Sequence, residues 1–497
     1  MNLCKTITLL ILVSVVLAPS SFVPLRGISA PAAQYLVIVV IDGCRPDYLQ
    51  LTDVPNLRYL MSNGVTYSKA WLGQLVANTP PGHATVTTGS LPKNQGVIGF
   101  AWRDPATGGI AAPTTIEAVS QGRLGEAVVS SGAVSIPQLI KQAYPDSKIL
   151  SVGSSKYFAA AAMGNKYADY IVYTTRSGKE LRPGGVEGQM PPSQILNDPD
   201  LRYNLPASPI QHDSWPITVA AKILERERPK VMLINLPEAD AVGHQTGGIN
   251  APEAMAQIIA NVDVQIGRLV DAYRRLGILD QTLFAVTSDH GMIPNTHLVP
   301  TDQIRRAIEK AGTTPLSLGG DTSLHTYLRD QSKSKQAAEN IASLNLAGID
   351  GVYYRVKSQD GYAYLPTTQT SSKISRELDE AYRYLFSTYA NEMGPDIAAA
   401  FDENTVAEQK DGQMKGRHGG LTWGVQSIPM ILAGPGVKKG YVSEMPARLI
   451  DLAPTVLALT GISTDRMDGI VLSDALVDSS PDLLKRQLEL AERLTRL

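Results

Sequence analysis

Residues 35–43 read YLVIVVIDG, an unbroken run of apolar, mostly β-branched side chains that ends in an Asp-Gly pair. Such a run is typical of a strand that is buried on both faces, as in the centre of a parallel sheet. Comparable runs follow at 148–154, 230–240, 282–291 and 428–436, and helical patterns such as 251–276 separate them. The alternation predicts a doubly wound α/β fold with a mostly parallel central sheet.

Acidic residues stand at or just after the carboxyl ends of three of these strands. They are Asp42, Asp240 and Asp289. Ligands bind at that edge of open α/β sheets, so we expect the functional site there.

Two regions interrupt the alternation. Residues 100–215 are rich in Gly, Pro, Ser and Tyr, and we interpret them as long active-site loops. Residues 293–416 carry two amphipathic helical patterns and the tyrosine-rich piece GVYYRVKSQDGYAYLP, which indicates strands. We expect this second region to be an inserted α+β cap, so that residues 31–292 and 417–497 form the catalytic core.

The first 30 residues have the layout of a secretory signal peptide, with Lys5, an apolar run over 7–18 and small residues near Ala30. The alternative is an uncleaved N-terminal anchor, which is the only membrane tether we expect. Both predict an extracellular, cell-surface or periplasmic protein. Of the two cysteines, Cys4 belongs to this segment, so Cys44 has no partner for an internal disulfide after cleavage.

The composition excludes some partners. The 497 residues are 43% hydrophobic and 19% charged, with a formal net charge of -2, which is typical of a globular chain without a basic surface for nucleic acid. A small molecule is the expected partner, and the oligomeric state stays open.

The stretch VANTPPGHATVTTG, residues 76–89, places Thr79 before two prolines. Taken alone, the segment has a composition that is typical of a turn. The alternative is a rigid elbow that aims the Thr79 hydroxyl at a metal or a substrate, with a helix starting near Gly82.

Three more motifs supply aspartate and histidine. ADAVGH sets Asp240 and His244 one helical turn apart, although such a pair alone is often just a surface pair. SDHG contains Asp289 and His290, and GRHGG contains His418. With Asp42 they make three aspartates and three histidines, a donor set that zinc prefers and that manganese or iron tolerates.

In order, VIDGCRPDYL, NTPPGHATVTTGSLP, DAVGH, SDHGM, GRHGG and DLAPTVLALTGI resemble the alkaline phosphatase superfamily, and most closely its type I phosphodiesterase/nucleotide pyrophosphatase branch. The resemblance implies two divalent metal ions, most readily zinc. It implies that Asp240, His244 and His418 hold one ion, and that Asp42, Asp289 and His290 hold the other beside Thr79. Thr79 is then the nucleophile of a phospho-threonyl intermediate, and His83 supports its turn.

The sequence departs from those relatives at two phosphoryl-binding positions. Pro80 follows Thr79 and has no N–H, and Phe100 stands where relatives have an asparagine. Lys156 is the candidate replacement, the alternative being a solvated lysine at a helix start, and Phe158 stands where monoesterase-like relatives carry arginine.

We expect Phe100 and Phe158 to contact substrate and to favour diesters or pyrophosphates. The predicted function is a secreted two-metal phosphodiesterase. The alternatives are a phosphomonoesterase, a phosphonate hydrolase and a metal-stabilised binding protein.

Overall fold

A ten-stranded sheet forms the centre of the computed structural model, which describes residues 32–408 and 414–494. Five of its nine neighbouring strand pairs are parallel, including those at its centre. Across the sheet the strands are Tyr441–Arg448, Gly64–Trp71, Met430–Ala433, Thr282–Thr287, Tyr35–Ile41, Val231–Leu236, Ile149–Val152, Tyr170–Ser177, Glu180–Gly185 and Tyr203–Asn204.

Strand Tyr35–Ile41 lies between two parallel neighbours, Val231–Leu236 and Thr282–Thr287. Its side chains alternate between two hydrophobic cores, since Leu36, Ile38 and Val40 join one and Val37, Val39 and Ile41 join the other. The strand is therefore buried on both faces, as the unbroken apolar run predicts.

Helices cover both faces of the sheet, and the predicted doubly wound α/β fold is confirmed. One core contains residues of Pro55–Ser62, Pro209–Glu227, Glu238–Thr246 and Pro252–Arg275. The other contains residues of Thr79–Thr88, Arg123–Ser130, Ile136–Ala143, Tyr157–Gly164 and Leu452–Leu459. The last described helix, Pro481–Leu494, contacts the edge strand Tyr441–Arg448.

The interpretation of residues 100–215 as loops was wrong. Besides the strand Ile149–Val152, which the apolar run at 148–154 predicts, they contribute three more strands to the central sheet, Tyr170–Ser177, Glu180–Gly185 and Tyr203–Asn204. They also contain the pair of short strands Trp102–Arg103 and Ile110–Ala111, and short helices such as Ile136–Ala143 and Tyr157–Gly164. These helices are only eight residues long, which is too short for a helical period to be recognised in the sequence.

One predicted parallel strand also differs, because Met430–Ala433 runs antiparallel to Thr282–Thr287. The chain reaches the carboxyl edge of the sheet at His418, only a short segment before this strand begins. A strand that starts from that edge must run back across the sheet in the opposite direction.

A second sheet, of five antiparallel strands, lies within residues 293–416, where we expect the cap. Its order is Pro315–Gly319, Ser323–Leu328, Ile397–Phe401, Ile349–Ser358 and Gly361–Pro366. The tyrosine-rich piece forms the hairpin of the last two strands. Helices Thr301–Lys310 and Ser334–Ala342 share a core with one face, and Arg376–Ser387 joins Tyr353 and Tyr364 on the other.

The predicted signal peptide, residues 1–30, lies outside the described residues. Within 32–408 and 414–494, none of the helices combines the length and apolar character needed to cross a bilayer.

Candidate metal centre and nucleophile

The three aspartates meet at the carboxyl edge of the central sheet. Asp42 directly follows strand Tyr35–Ile41, Asp289 comes two residues after Thr282–Thr287, and Asp240 lies in the first turn of helix Glu238–Thr246. The three strands are parallel neighbours, so their carboxyl ends lie side by side. All three carboxylates are fully buried.

The Thr79 hydroxyl lies among these groups. Helix Thr79–Thr88 begins at Thr79 itself, not near Gly82, because the first helical turn tolerates Pro80 and Pro81, whose missing N–H groups would be unpaired there. Thr79 Oγ1 is 3.5 Å from Asp42 Oδ1 and 3.4 Å from His290 Nε2.

Asp240 and two histidines form one part of the cluster. Asp240 Oδ1 is 3.4 Å from Nε2 of His244 and 3.4 Å from Nε2 of His418, and the two Nε2 atoms are 3.2 Å apart. His244 is one turn after Asp240 on the same helix, as the DAVGH spacing predicts.

The three histidines are held so that Nε2 faces inward. Each Nδ1 lies within hydrogen-bond distance of a backbone carbonyl: His244 with Gly416 at 2.8 Å, His290 with Gly291 at 2.9 Å, and His418 with Ala77 at 3.0 Å. A carbonyl only accepts, so Nδ1 carries the proton and Nε2 keeps its lone pair. This is the arrangement in which histidine binds a metal through Nε2.

The donor set fits cations. Asp240 Oδ1 is buried without a hydrogen bond, and the Nε2 lone pairs of His244 and His418 face each other. Burial, together with the nearby Asp289 carboxylate, raises the pKa of Asp42 to about 7. Lys156 is the lysine that pairs with two of these three buried carboxylates, Asp240 and Asp42, and bound cations would stabilise the cluster further. The structure thus has two buried Asp/His clusters that could bind metal.

The two clusters divide the residues differently from the expected ligand sets. Ligand atoms of Asp240, His290 and His418 lie within 4.8 Å of one another, as do those of Asp42, His83 and Asp289. Both ring nitrogens of His83 are already used, however. Nδ1 lies 2.9 Å from the Thr79 carbonyl oxygen, and Nε2 lies 2.9 Å from the amide nitrogen of Asn235. His83 therefore supports the turn that carries Thr79.

Asn235 is a site residue that the motifs did not reveal. Its Nδ2 donates to Asp42 Oδ2 at 2.9 Å and lies between that carboxylate and His83. It is the next-to-last residue of strand Val231–Leu236 and is fully buried. The sequence could have indicated Asn235 as a single polar residue near the carboxyl end of an otherwise apolar strand.

Lys156 is not a solvated lysine. It immediately precedes helix Tyr157–Gly164, and its Nζ lies 2.5 Å from Asp240 Oδ2 and 4.0 Å from Asp42 Oδ1. The side chain is only 17% exposed. Its ammonium is therefore part of the buried charge cluster.

Phe100 and Phe158 lie together beside this ammonium. Their rings meet edge to face with centroids 5.3 Å apart, and Lys156 Nζ is 5.8 Å from the Phe158 centroid. Phe100 remains 39% exposed. The pair gives the site one apolar, partly open wall.

Comparison with known proteins agrees with this architecture. The structure of wild-type alkaline phosphatase PafA covers 90% of this chain and 100% of its own, with 14% identity and a TM-score of 0.67, a likeness of fold. The human ectonucleotide pyrophosphatase/phosphodiesterase family member 5 is 23% identical over 469 residues, 91% of this chain and 80% of that protein. An uncharacterized pyrophosphatase/phosphodiesterase of Schizosaccharomyces pombe is 24% identical over 261 residues, 52% of this chain and 45% of that relative, so the match spans less than half of its length.

The sheet is similar in fold to that of an alkaline phosphatase, and two buried Asp/His clusters that could bind metal lie at its carboxyl edge. The chain belongs to the type I phosphodiesterase / nucleotide pyrophosphatase family, whose model matches residues 36–421.

Proposed function

We propose that this chain is a secreted two-metal phosphodiesterase or nucleotide pyrophosphatase that uses Thr79 as its nucleophile. The observation that carries the proposal is the position of Thr79 Oγ1, a fully buried hydroxyl between Asp42 and His290 at the start of a helix. A threonine with a purely structural role has no need of three buried aspartates and three inward-facing imidazoles around it.

The proposed metal ligands are those that the motifs suggest. Asp240, His244 and His418 hold one ion, and Asp42, Asp289 and His290 hold the other, with Thr79 beside it. Oxygen and imidazole donors in this mixture favour zinc. Bound divalent ions lower the pKa of a coordinated hydroxyl and neutralise charge on the phosphoryl group.

The chain's own residues then carry out a double displacement. The Thr79 oxygen loses its proton to solvent and attacks phosphorus, while the bond from phosphorus to the leaving oxygen breaks and that oxygen takes a proton from solvent. Water next attacks the phospho-threonine, the Oγ–P bond breaks and Thr79 regains its proton. Lys156 donates hydrogen bonds to phosphoryl oxygens in both steps and so replaces the N–H that Pro80 lacks.

Phe100 and Phe158 support a preference for diesters. A diester carries one negative charge and a second organic substituent, and apolar ring edges suit that substituent better than they suit water or a dianion. Pyrophosphate linkages with an organic group on the attacked phosphorus have the same need.

The test compares bis(p-nitrophenyl) phosphate with p-nitrophenyl phosphate, using the zinc-loaded protein. We expect faster hydrolysis of the diester, and loss of both activities in Thr79→Ala. Thr87→Ala is the matched control, because Thr87 is a buried threonine on the same helix whose hydroxyl bonds only to a carbonyl of its own helix. Diester hydrolysis that persists in the Thr79→Ala variant would refute the assignment of Thr79 as the nucleophile.

A second candidate function is phosphomonoester hydrolysis, because the buried Lys156 ammonium suits a dianionic phosphoryl group. Faster turnover of p-nitrophenyl phosphate would favour it. Turnover of phosphonoacetate alone would favour a phosphonate hydrolase, and bound zinc without any turnover would favour a metal-stabilised binding protein.

Secretion is part of the proposal and rests on residues 1–30. Expression of the full chain, followed by N-terminal sequencing of the exported protein, tests it. Cleavage near Ala30 is the expected result, and an intact N-terminus on a membrane-bound protein would support an anchor instead.

A further inference from the structure

The loop that carries His418 is rich in glycine. It reads GRHGG over residues 416–420, so the backbone on both sides of this proposed metal ligand has few restrictions of its own. A side chain in a metal site has to be held within roughly 0.5 Å of its binding geometry. Contacts from outside the loop therefore have to supply the rigidity that its own sequence lacks.

On one side, the loop contacts the segment that leads to Thr79. Gly419 forms an isolated antiparallel bridge with Ala77. His418 Nδ1 lies 3.0 Å from the Ala77 carbonyl oxygen and 3.0 Å from Asn78 Oδ1. These contacts orient the ring, but they involve neither the His418 carbonyl nor the Gly419 carbonyl.

On the other side, the second sheet binds those two carbonyls. The Thr322 N–H donates to the His418 carbonyl at 3.3 Å, and the Ser323 hydroxyl donates to the Gly419 carbonyl at 3.1 Å. Ser323 is fully buried and begins strand Ser323–Leu328, which has a paired neighbour on each side. The loop is therefore attached to a fixed point of the second sheet.

Two further contacts bring the loop close to this strand. Asp321 Oδ1 lies 3.2 Å from a terminal nitrogen of the Arg417 guanidinium. A side chain at Gly420 would collide with the Thr322 carbonyl oxygen, so the two backbones approach as closely as glycine allows. The last residues before the strand thus follow the loop on both sides of His418.

Ser323 is in turn held by His325. Its Oγ lies 2.7 Å from His325 Nε2. Burial lowers the pKa of His325 to about 4, so the ring is neutral and has a single N–H. Because the Gly419 carbonyl only accepts, the Ser323 proton points to it, and His325 Nε2–H donates to the serine oxygen. This pair of hydrogen bonds gives the Ser323 hydroxyl one orientation.

We propose that Ser323, supported by His325, is a positioning residue for His418, so that the second sheet sets the affinity of the centre for one of its two metal ions. The inference rests on the proposed function, because it takes His418 as a ligand. Ser323 acts through the Gly419 carbonyl, one residue after that ligand. Loss of outer hydrogen bonds of this kind typically costs about 10- to 100-fold in metal affinity.

Ser323→Ala tests the proposal, because it removes the hydroxyl with little change in volume. Competition between the zinc-loaded protein and a zinc chelator measures the dissociation constants of the two ions. We expect one constant to rise about 10- to 100-fold and the other to change less than about threefold. Asp42 and Asp289, two proposed ligands of the second ion, follow strands of the central sheet and should retain it.

Thr326→Val is the matched control. Thr326 is a fully buried residue of the same strand, and its hydroxyl has no hydrogen-bond partner among the described residues. Removing this hydroxyl should change neither dissociation constant. His325→Phe keeps a ring but removes the donor to Ser323, and it should weaken the same ion by less than Ser323→Ala does.

Cobalt substitution provides a readout that does not depend on activity. The visible absorption of bound cobalt reports the geometry of its ligands, so the spectrum should change in Ser323→Ala and remain the same in Thr326→Val. If Ser323→Ala does not fold, the same two measurements on His325→Phe decide the question.

The outcomes distinguish this inference from the proposed function. Two ions bound as tightly in Ser323→Ala as in the unaltered protein, with the same cobalt spectrum, would overturn the inference and leave the metal centre intact. Equal weakening of both ions would show that Ser323 serves folding alone and would also overturn it. An unaltered protein that binds no zinc would overturn both the inference and the proposed function.

Discussion

The candidate metal centre and a nearby cavity are built in different ways. In the metal centre, Asp42, Asp240 and Asp289 follow three neighbouring parallel strands, and their placement comes from the register of one sheet. The cavity lies between the segment around Phe100 and the second sheet, which are joined through Asp396. One region thus depends on the register of a single sheet and the other on contacts between distant segments, so substitutions in the two regions should have different effects.

The largest effect is expected from removing a proposed metal ligand, as in His418→Ala. Loss of one member of a catalytic group that acts as a unit costs about 10⁴-fold or more in other hydrolases, and we expect a comparable fall in kcat. The measurements are kcat for both p-nitrophenyl esters and zinc content by elemental analysis, which should fall from two ions to one. His297→Ala is the matched control, because His297 is an exposed histidine whose Nε2 lies 3.1 Å from the Ala347 carbonyl oxygen. A His418 variant that keeps two ions would remove His418 from the ligands.

Lys156→Ala should have the next largest effect. Loss of one donor to a developing oxyanion lowers kcat about 10²- to 10³-fold, and the Lys156 ammonium is the cation closest to Asp240 and Asp42. Steady-state kinetics on both esters measure it, with Lys166→Ala at an exposed position as control. Unchanged turnover in Lys156→Ala would assign Lys156 a purely structural role.

Asn235→Ala tests whether the hydrogen bonds from Asn235 to Asp42 and His83 contribute to metal binding. Asn235 orients Asp42 and His83, and loss of such outer hydrogen bonds typically costs about 10- to 100-fold in metal affinity or activity. The measurement is the zinc concentration that restores half of the activity after chelation. Unaltered zinc affinity together with reduced stability would show that Asn235 serves packing alone.

The smallest effect on chemistry is expected from Asp396→Asn on the cavity side. The substitution leaves the guanidinium groups of Arg103 and Arg355 without their carboxylate, and breaking a buried ion pair costs about 3–5 kcal/mol of stability. Denaturant unfolding measures the loss, and we expect zinc content to stay at two ions. Glu380→Gln, which breaks the exposed pair with Arg376, should change stability little. A loss of zinc in Asp396→Asn would show that the two regions are not separable.

The sequence alone could place the Asp and His side chains of the candidate site wherever their position follows from neighbouring residues along the chain. Asp42 and Asp289 could be predicted, because a buried parallel strand and the polar residue that ends it are adjacent in sequence. The DAVGH spacing likewise placed Asp240 and His244 on one helical turn. These inferences need only the period of a strand or a helix.

The rest depends on contacts between distant segments. No local pattern shows that Arg103 meets Asp396, or that Lys156 reaches Asp240. The direction of Met430–Ala433 depends on where the chain returns to the sheet, which hydropathy does not encode. Which histidine nitrogen faces the cluster depends on ring orientation, which carbonyl partners such as Gly416 and Ala77 determine.

Trapping the covalent intermediate would show directly whether Thr79 is the nucleophile. Zinc-loaded protein is mixed with a stoichiometric amount of bis(p-nitrophenyl) phosphate, quenched in acid within the first turnover, digested and analysed by mass spectrometry. We expect one phosphoryl group carrying its retained ester on the peptide that contains Thr79, and none in Thr79→Ala. First-turnover release of p-nitrophenolate with no modified peptide, or with the modification on another residue, would contradict it.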